Sequence, residues 1–93
     1  MKSFPKPIKI QIIYDEKLQE LTGVASEEAT VSEGLNFLMM FKFIFDSYPE
    51  IFKLYPPGSI SLWLNDKRPT EFDILNDGDK IKLSASHRAN LVN

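Results

Sequence analysis

TVSEGLNFLMMFKFIFDSYP, residues Thr30 to Pro49, is the stretch on which the fold turns. Thr30 and Glu33 have the spacing of a capping box, in which a hydroxyl and a carboxylate satisfy free N–H groups at a helix start. Pro49 disfavours helical backbone in the residue before it. The spacing predicts a helix from about Val31 to Ser47. Val31, Leu35, Leu38, Lys42 and Phe45 then share one face, and Phe37, Met40, Phe41 and Ile44 form a second apolar stripe beside it. A helix lying on one sheet needs only about a 100° stripe, so this second stripe has two readings. Either the following segment PEIFKLY, Pro49–Tyr55, folds back over it, or a larger protein partner or a second copy of the chain covers it. On the latter reading Phe37, Met40, Phe41 and Ile44 are candidate partner-binding residues and a homodimer is one outcome.

Strand signals lie on both sides of this helix. Ile8–Tyr14 (IKIQIIY) alternates, with Ile8, Ile10, Ile12 and Tyr14 pointing one way and Lys9 and Gln11 the other. Pro5 and Pro7 keep its entry extended. Asp15–Thr22 permits a helical turn stopped by Gly23, and Val24–Ala29 is read as a strand because the first strand needs a hairpin partner. After the helix, Pro49–Tyr55 suits a short second helical turn with proline leading, and Pro56-Pro57-Gly58 breaks the chain. Ser59–Leu64 reads as a strand with Ile60, Leu62 and Leu64 on one side and Trp63 on the other. Asn65-Asp66-Lys67 is a turn, Pro69–Ile74 a short strand or irregular link, and Leu75–Asp79 a tight turn using Gly78. Lys80–Ala85 is the last strand, with Ile81 and Leu83 facing the core. The economical architecture is α+β, a four- to five-stranded mixed sheet under one main helix, with the first and last strands parallel in the middle. One domain over residues 1–86 and a loose tail over 87–93 are expected.

Composition narrows the function classes. The 93 residues suit one domain, and a 43% hydrophobic fraction argues against disorder. No run approaches the roughly 20 apolar residues of a membrane span; the longest, Leu35 to Phe45, is interrupted by Asn36 and Lys42. The opening MKSFPKPIKIQ lacks the apolar stretch of a signal peptide. There is no cysteine, which excludes disulfides, thiolate metal sites and cysteine nucleophiles and fits a cytoplasmic home. A net charge of −2 gives nucleic-acid binding no support. The charge is uneven, because Asp15 to Glu33 carries six acids and one lysine.

The chain resembles the MoaD/ThiS family of β-grasp, ubiquitin-like sulfur carriers, which includes the small subunit of molybdopterin synthase. The resemblance runs through IKIQIIY, LQELTG, TVSEGLNFL, YPEIF, SLWLND and LNDGDKIKL in that order, over nearly the whole chain. It implies a β-grasp fold and a larger protein partner, of the molybdopterin-synthase large-subunit or activating-enzyme kind. Family members end in Gly-Gly, whose bare backbone threads a narrow channel so that the terminal carboxylate is adenylated and converted to a thiocarboxylate. Here the corresponding positions fall at about Ala89 and Asn90, and no glycine follows Gly78. A non-catalytic binding module without a thiocarboxylate is the reading that fits. The alternatives are a sulfur carrier with an atypical ending, and a phosphate- or RNA-binding domain using Lys67, Arg68, Lys80, Lys82 and Arg88.

No catalytic constellation emerges. His87, the only histidine, stands in the tail without a second histidine or cysteine, so neither metal ligation nor general-base chemistry has a partner. Asp77 and Asp79 flank Gly78 but lack the further ligands of a calcium loop. Ser84 and Ser86 have no base at a readable spacing. No cofactor is expected. Trp63, opposite in phase to its apolar neighbours, either fills a second side of the core or anchors an interface. With the helix stripe and the tail residues His87 and Arg88 it completes the candidate partner-binding set.

Overall fold

The structure, a computed structural model, describes residues 5–55 and 58–85. The elements in chain order are β1 (Pro7–Tyr14), α1 (Glu16–Thr22), β2 (Ser26–Ser32), α2 (Phe37–Ser47), α3 (Glu50–Leu54), β3 (Ser61–Leu64) and β4 (Lys80–Ser84). The four strands form one mixed sheet in the order β2-β1-β4-β3. β1 and β4 are parallel, with Ile12 opposite Ile81 and Tyr14 opposite Leu83. β2 and β3 flank them antiparallel. The central parallel pair, β1 with β4, is the one expected from the sequence, and among the described residues the sheet has four strands.

Alternation sorts each strand into two faces. Ile8, Ile10, Ile12 and Tyr14 of β1 and Ile81 and Leu83 of β4 are buried on one face. Against them pack Phe37, Met40, Ile44 and Phe45 of α2, with Leu18, Ile51, Tyr55 and Leu75 in the same core. Asp15 caps α1 by accepting from the Leu18 N–H at 2.9 Å, and its other carboxylate oxygen accepts from the Ala85 N–H at 2.8 Å. One side chain thus ties a helix start to the end of β4.

The helix boundary differs from the sequence expectation. Thr30, Val31 and Ser32 belong to β2, and α2 begins at Phe37 under Asn36, whose side-chain oxygen accepts from the Met39 N–H at 2.9 Å. The Thr30/Glu33 box does not form, because both residues serve the sheet. Thr30 sits opposite Lys9. Glu33 donates its N–H to the Lys6 carbonyl at 2.9 Å and accepts the Lys6 N–H on its carboxylate at 3.1 Å. Gly34, at φ +90°, turns the chain between strand and helix. β2 likewise lies two to three residues later than Val24–Ala29. The stretch from Pro69 to Ile74 is irregular: Ile74 bridges Asn36, and the carbonyls of Asp73 and Glu71 accept from the Phe37 and Leu38 N–H groups at 2.7 and 3.2 Å.

Candidate functional site

Two surfaces carry the residues that chemistry can use. The first is the face of the sheet turned away from α2. Register places Ile13 of β1 opposite Lys82 of β4, and Lys82 opposite Trp63 of β3. With strands about 4.8 Å apart, the three side chains form a row across the sheet. The Arg68 guanidinium lies over the Trp63 ring, 4.6 Å from its centroid, a cation–π arrangement that holds a half-buried aromatic in place. Lys9, Gln11 and Lys80 occupy the same face by alternation, and an exposed Lys9–Glu28 ion pair at 4.0 Å lies toward its β2 side. The face is therefore basic around an aromatic and an aliphatic side chain.

The second surface is at the β2 edge. Glu27 falls in the inward phase of β2, opposite Ile12. Its carboxylate oxygen Oε2 accepts from the Tyr14 hydroxyl at 2.6 Å and the Tyr48 hydroxyl at 2.8 Å. The two rings meet edge to face with centroids 5.8 Å apart. Burial, and next the bond to Glu27, push the Tyr14 hydroxyl far above its ordinary pKa. The same causes in the same order raise Tyr48. Both phenols stay protonated donors across the physiological range.

The sequence-derived candidates separate. Trp63 stands on the open face as its phase requires. Phe37, Met40 and Ile44 are core residues, and Phe41 is partly buried, stacked on Phe37 and edge-on to Phe45. Phe37, Met40 and Ile44 are corrected from partner-binding to interior, with Phe41 packed at the core's margin: once α2 starts at Phe37, Val31 and Leu35 leave the helix and the Phe37 stripe becomes its core face. The apolar side chains α2 leaves exposed are Leu38, Met39 and Phe43. His87 and Arg88 lie outside the described residues, as does the expected tail. Ile13 was not singled out in the sequence, and Glu27 read there, with Glu28, as solvated charge. An acid in the inward phase of β2 is the signal for Glu27, readable only once the register with β1 is known. Asp77 and Asp79 close a turn: Asp77 accepts the Lys9 N–H at 2.8 Å and Asp79 the Asn76 N–H at 2.7 Å. Among the described residues no cluster of metal-ligating side chains occurs, and no helix is long and apolar enough to cross a membrane.

No family model matches the chain, and no curated protein matches it by sequence. Solved structures do match. A protein of Pyrococcus furiosus described as a molybdopterin converting factor subunit 1 superposes with a TM-score of 0.75 at 19% identity, covering 84% of this chain and 97% of its own. The fold is the ubiquitin-like β-grasp. The small archaeal modifier protein 1 of Haloferax volcanii shares this β-grasp at a TM-score of 0.70 and 12% identity, over 83% of this chain and 95% of that one. Its counterpart from Methanosarcina acetivorans does so at 0.67 and 15%, over 86% and 94%. The β-grasp expected from the MoaD/ThiS-like motifs is thus present, on a chain only 12–19% identical to these proteins.

Proposed function

We propose that this β-grasp domain is a non-catalytic module of the cytoplasm, bound by a larger protein through the open face of its sheet. The row Ile13–Lys82–Trp63, with Arg68 over the indole, carries this reading. It joins a tryptophan to an arginine, two residue types enriched among interface hot spots, with Lys82 supplying charge beside them. The partner surface that fits has an acidic group opposite Lys82 between apolar patches that meet Ile13 and Trp63, with a further acid near Arg68. A molybdopterin-synthase-like large subunit or an activating enzyme is the class of partner, since one structural neighbour is described as a molybdopterin converting factor subunit. On this reading the domain forms no C-terminal thiocarboxylate.

The test pairs the purified chain with such a large subunit and such an activating enzyme from the same source. Trp63→Ala and Lys82→Glu should each weaken binding about tenfold or more while the domain stays folded. Incubation with the activating enzyme, ATP and a sulfur donor should leave the mass unchanged. Wild-type affinity in both variants would refute the docking face. A sulfur-for-oxygen mass gain would instead establish the alternative, a sulfur carrier with an atypical ending.

A further inference from the structure

We infer that the free edge of β2, with the recess behind it, is a second docking site, one that takes an extended peptide segment carrying a lysine or arginine. The backbone phase comes first. Tyr14 donates its N–H to the Ala25 carbonyl at 2.8 Å, and Glu33 donates to the Lys6 carbonyl at 2.9 Å. In an antiparallel ladder these bonds fix the alternation, so Glu27, Ala29 and Val31 bond inward to β1. The N–H and C=O of Glu28 and Thr30 then point away from the sheet. Among the described residues, no backbone group pairs with them there, and β2 is the outer strand.

Behind this edge lies a recess of ≈ 290 Å³ between β2 and α2. Ile12, Ala29 and Ile44 give it apolar surface, Phe43 and Tyr48 aromatic walls, and Glu27 a carboxylate. Phe43 is half exposed at its mouth, at 52%. Glu27 is held by two phenols on one oxygen, and among the described residues no cation lies within ion-pair distance of it. A lysine or arginine suits such a place: its stem lies on apolar surface, its head meets the carboxylate, and ring faces attract it. A strand added to β2 projects every second side chain to the helix side, where the recess is. Charge decides the occupant. β2 carries Glu27 and Glu28 and no cation, so pairing two β2 strands from two copies gathers carboxylates, whereas a basic segment neutralises them.

The probe is a capped synthetic nonapeptide of alternating threonine and valine with one central lysine, compared with its central-glutamate counterpart. Amide shifts and hydrogen exchange of the labelled domain are followed during titration. The lysine peptide should shift and protect the amides of Glu28 and Thr30. The glutamate peptide, and the variant Glu27→Gln, should bind about tenfold more weakly. Glu27→Gln keeps an oxygen for both phenols, so the fold survives. Thr30→Pro removes an outward donor without touching the β1 ladder and should abolish binding. Trp63→Ala should leave peptide affinity unchanged, which separates this site from the open face. Equal affinity for the two peptides overturns the proposal. So does wild-type affinity in Glu27→Gln, the absence of lysine-peptide binding at millimolar concentration, or shifts confined to the Ile13–Lys82–Trp63 row.

Discussion

Tyr14 ends β1 with its ring in the core and its hydroxyl on Glu27, and this placement couples stability to alkaline pH. Its folded-state pKa is raised above the ordinary 10.0, by burial first and by the Glu27 bond next. A raised value means that the folded state holds its proton more tightly than the unfolded chain does. The contribution is fully present below pH 10.0 and is lost as pH rises beyond it, because the unfolded chain alone gains by ionising. Thermal melts should therefore be flat with respect to this group through neutral pH and decline above about pH 10, with a shallower decline in Tyr14→Phe. That variant should cost about 1–3 kcal/mol at neutral pH, since a bond to a charged acceptor disappears. Single residues were legible where alternation alone decides them, as for Trp63. Glu27 was not, because an acid in an isolated strand looks solvated until its cross-strand neighbour is known. Asn65 shows what the SLWLND and DGD motifs do physically. It adopts φ 52° in the turn. Its side chain donates to Asp79 at 2.9 Å and accepts the Lys80 N–H at 3.0 Å. The two motifs interlock through this one side chain.

At the level of elements, α2 was legible in existence and not in extent. Phe37, Met40, Phe41, Ile44 and Phe45 follow the i, i+3, i+4, i+7, i+8 pattern of one buried face. Carrying the helix back to Val31 rotated the inferred core face onto Leu38 and Lys42. Gly34 and Asn36 held the correction. A glycine breaks the pattern, and an asparagine two residues later is a preferred cap, yet the Thr30/Glu33 spacing outweighed them in a reading blind to β1. Tertiary pairing decided between two local options. Met40 is fully buried, so Met40→Ala should cost about 2–5 kcal/mol and Met40→Glu should abolish the cooperative melt. Leu38, 48% exposed on the same helix, should tolerate Leu38→Glu within about 0.5 kcal/mol. Melting curves of the three variants check both statements. If Met40→Glu melts like the wild type, the packing of α2 against the sheet is wrong. With Phe37, Met40 and Ile44 inside the core, the helix stripe no longer argues for a homodimer.

The whole molecule was the most legible scale, because two alternating segments at opposite ends of one amphipathic helix leave few ways to build a sheet. Function was less so. The open face mixes Ile13, Lys82 and Trp63 from three strands that are far apart in sequence, and only register brings them into a row. The same central pairing has a consequence in time. Of the four described strands β1 is made first and β4 last, yet they are immediate neighbours, and β3 joins them only through β4. Until Lys80–Ser84 has been synthesised, the growing chain can form little more than the β1–β2 hairpin and a loose α2, with its phenylalanines uncovered. Long-range parallel pairing closes slowly, and transiently bare apolar surface invites aggregation. The nascent domain should therefore stay open to chaperones and proteases until β4 emerges and can pair with β1.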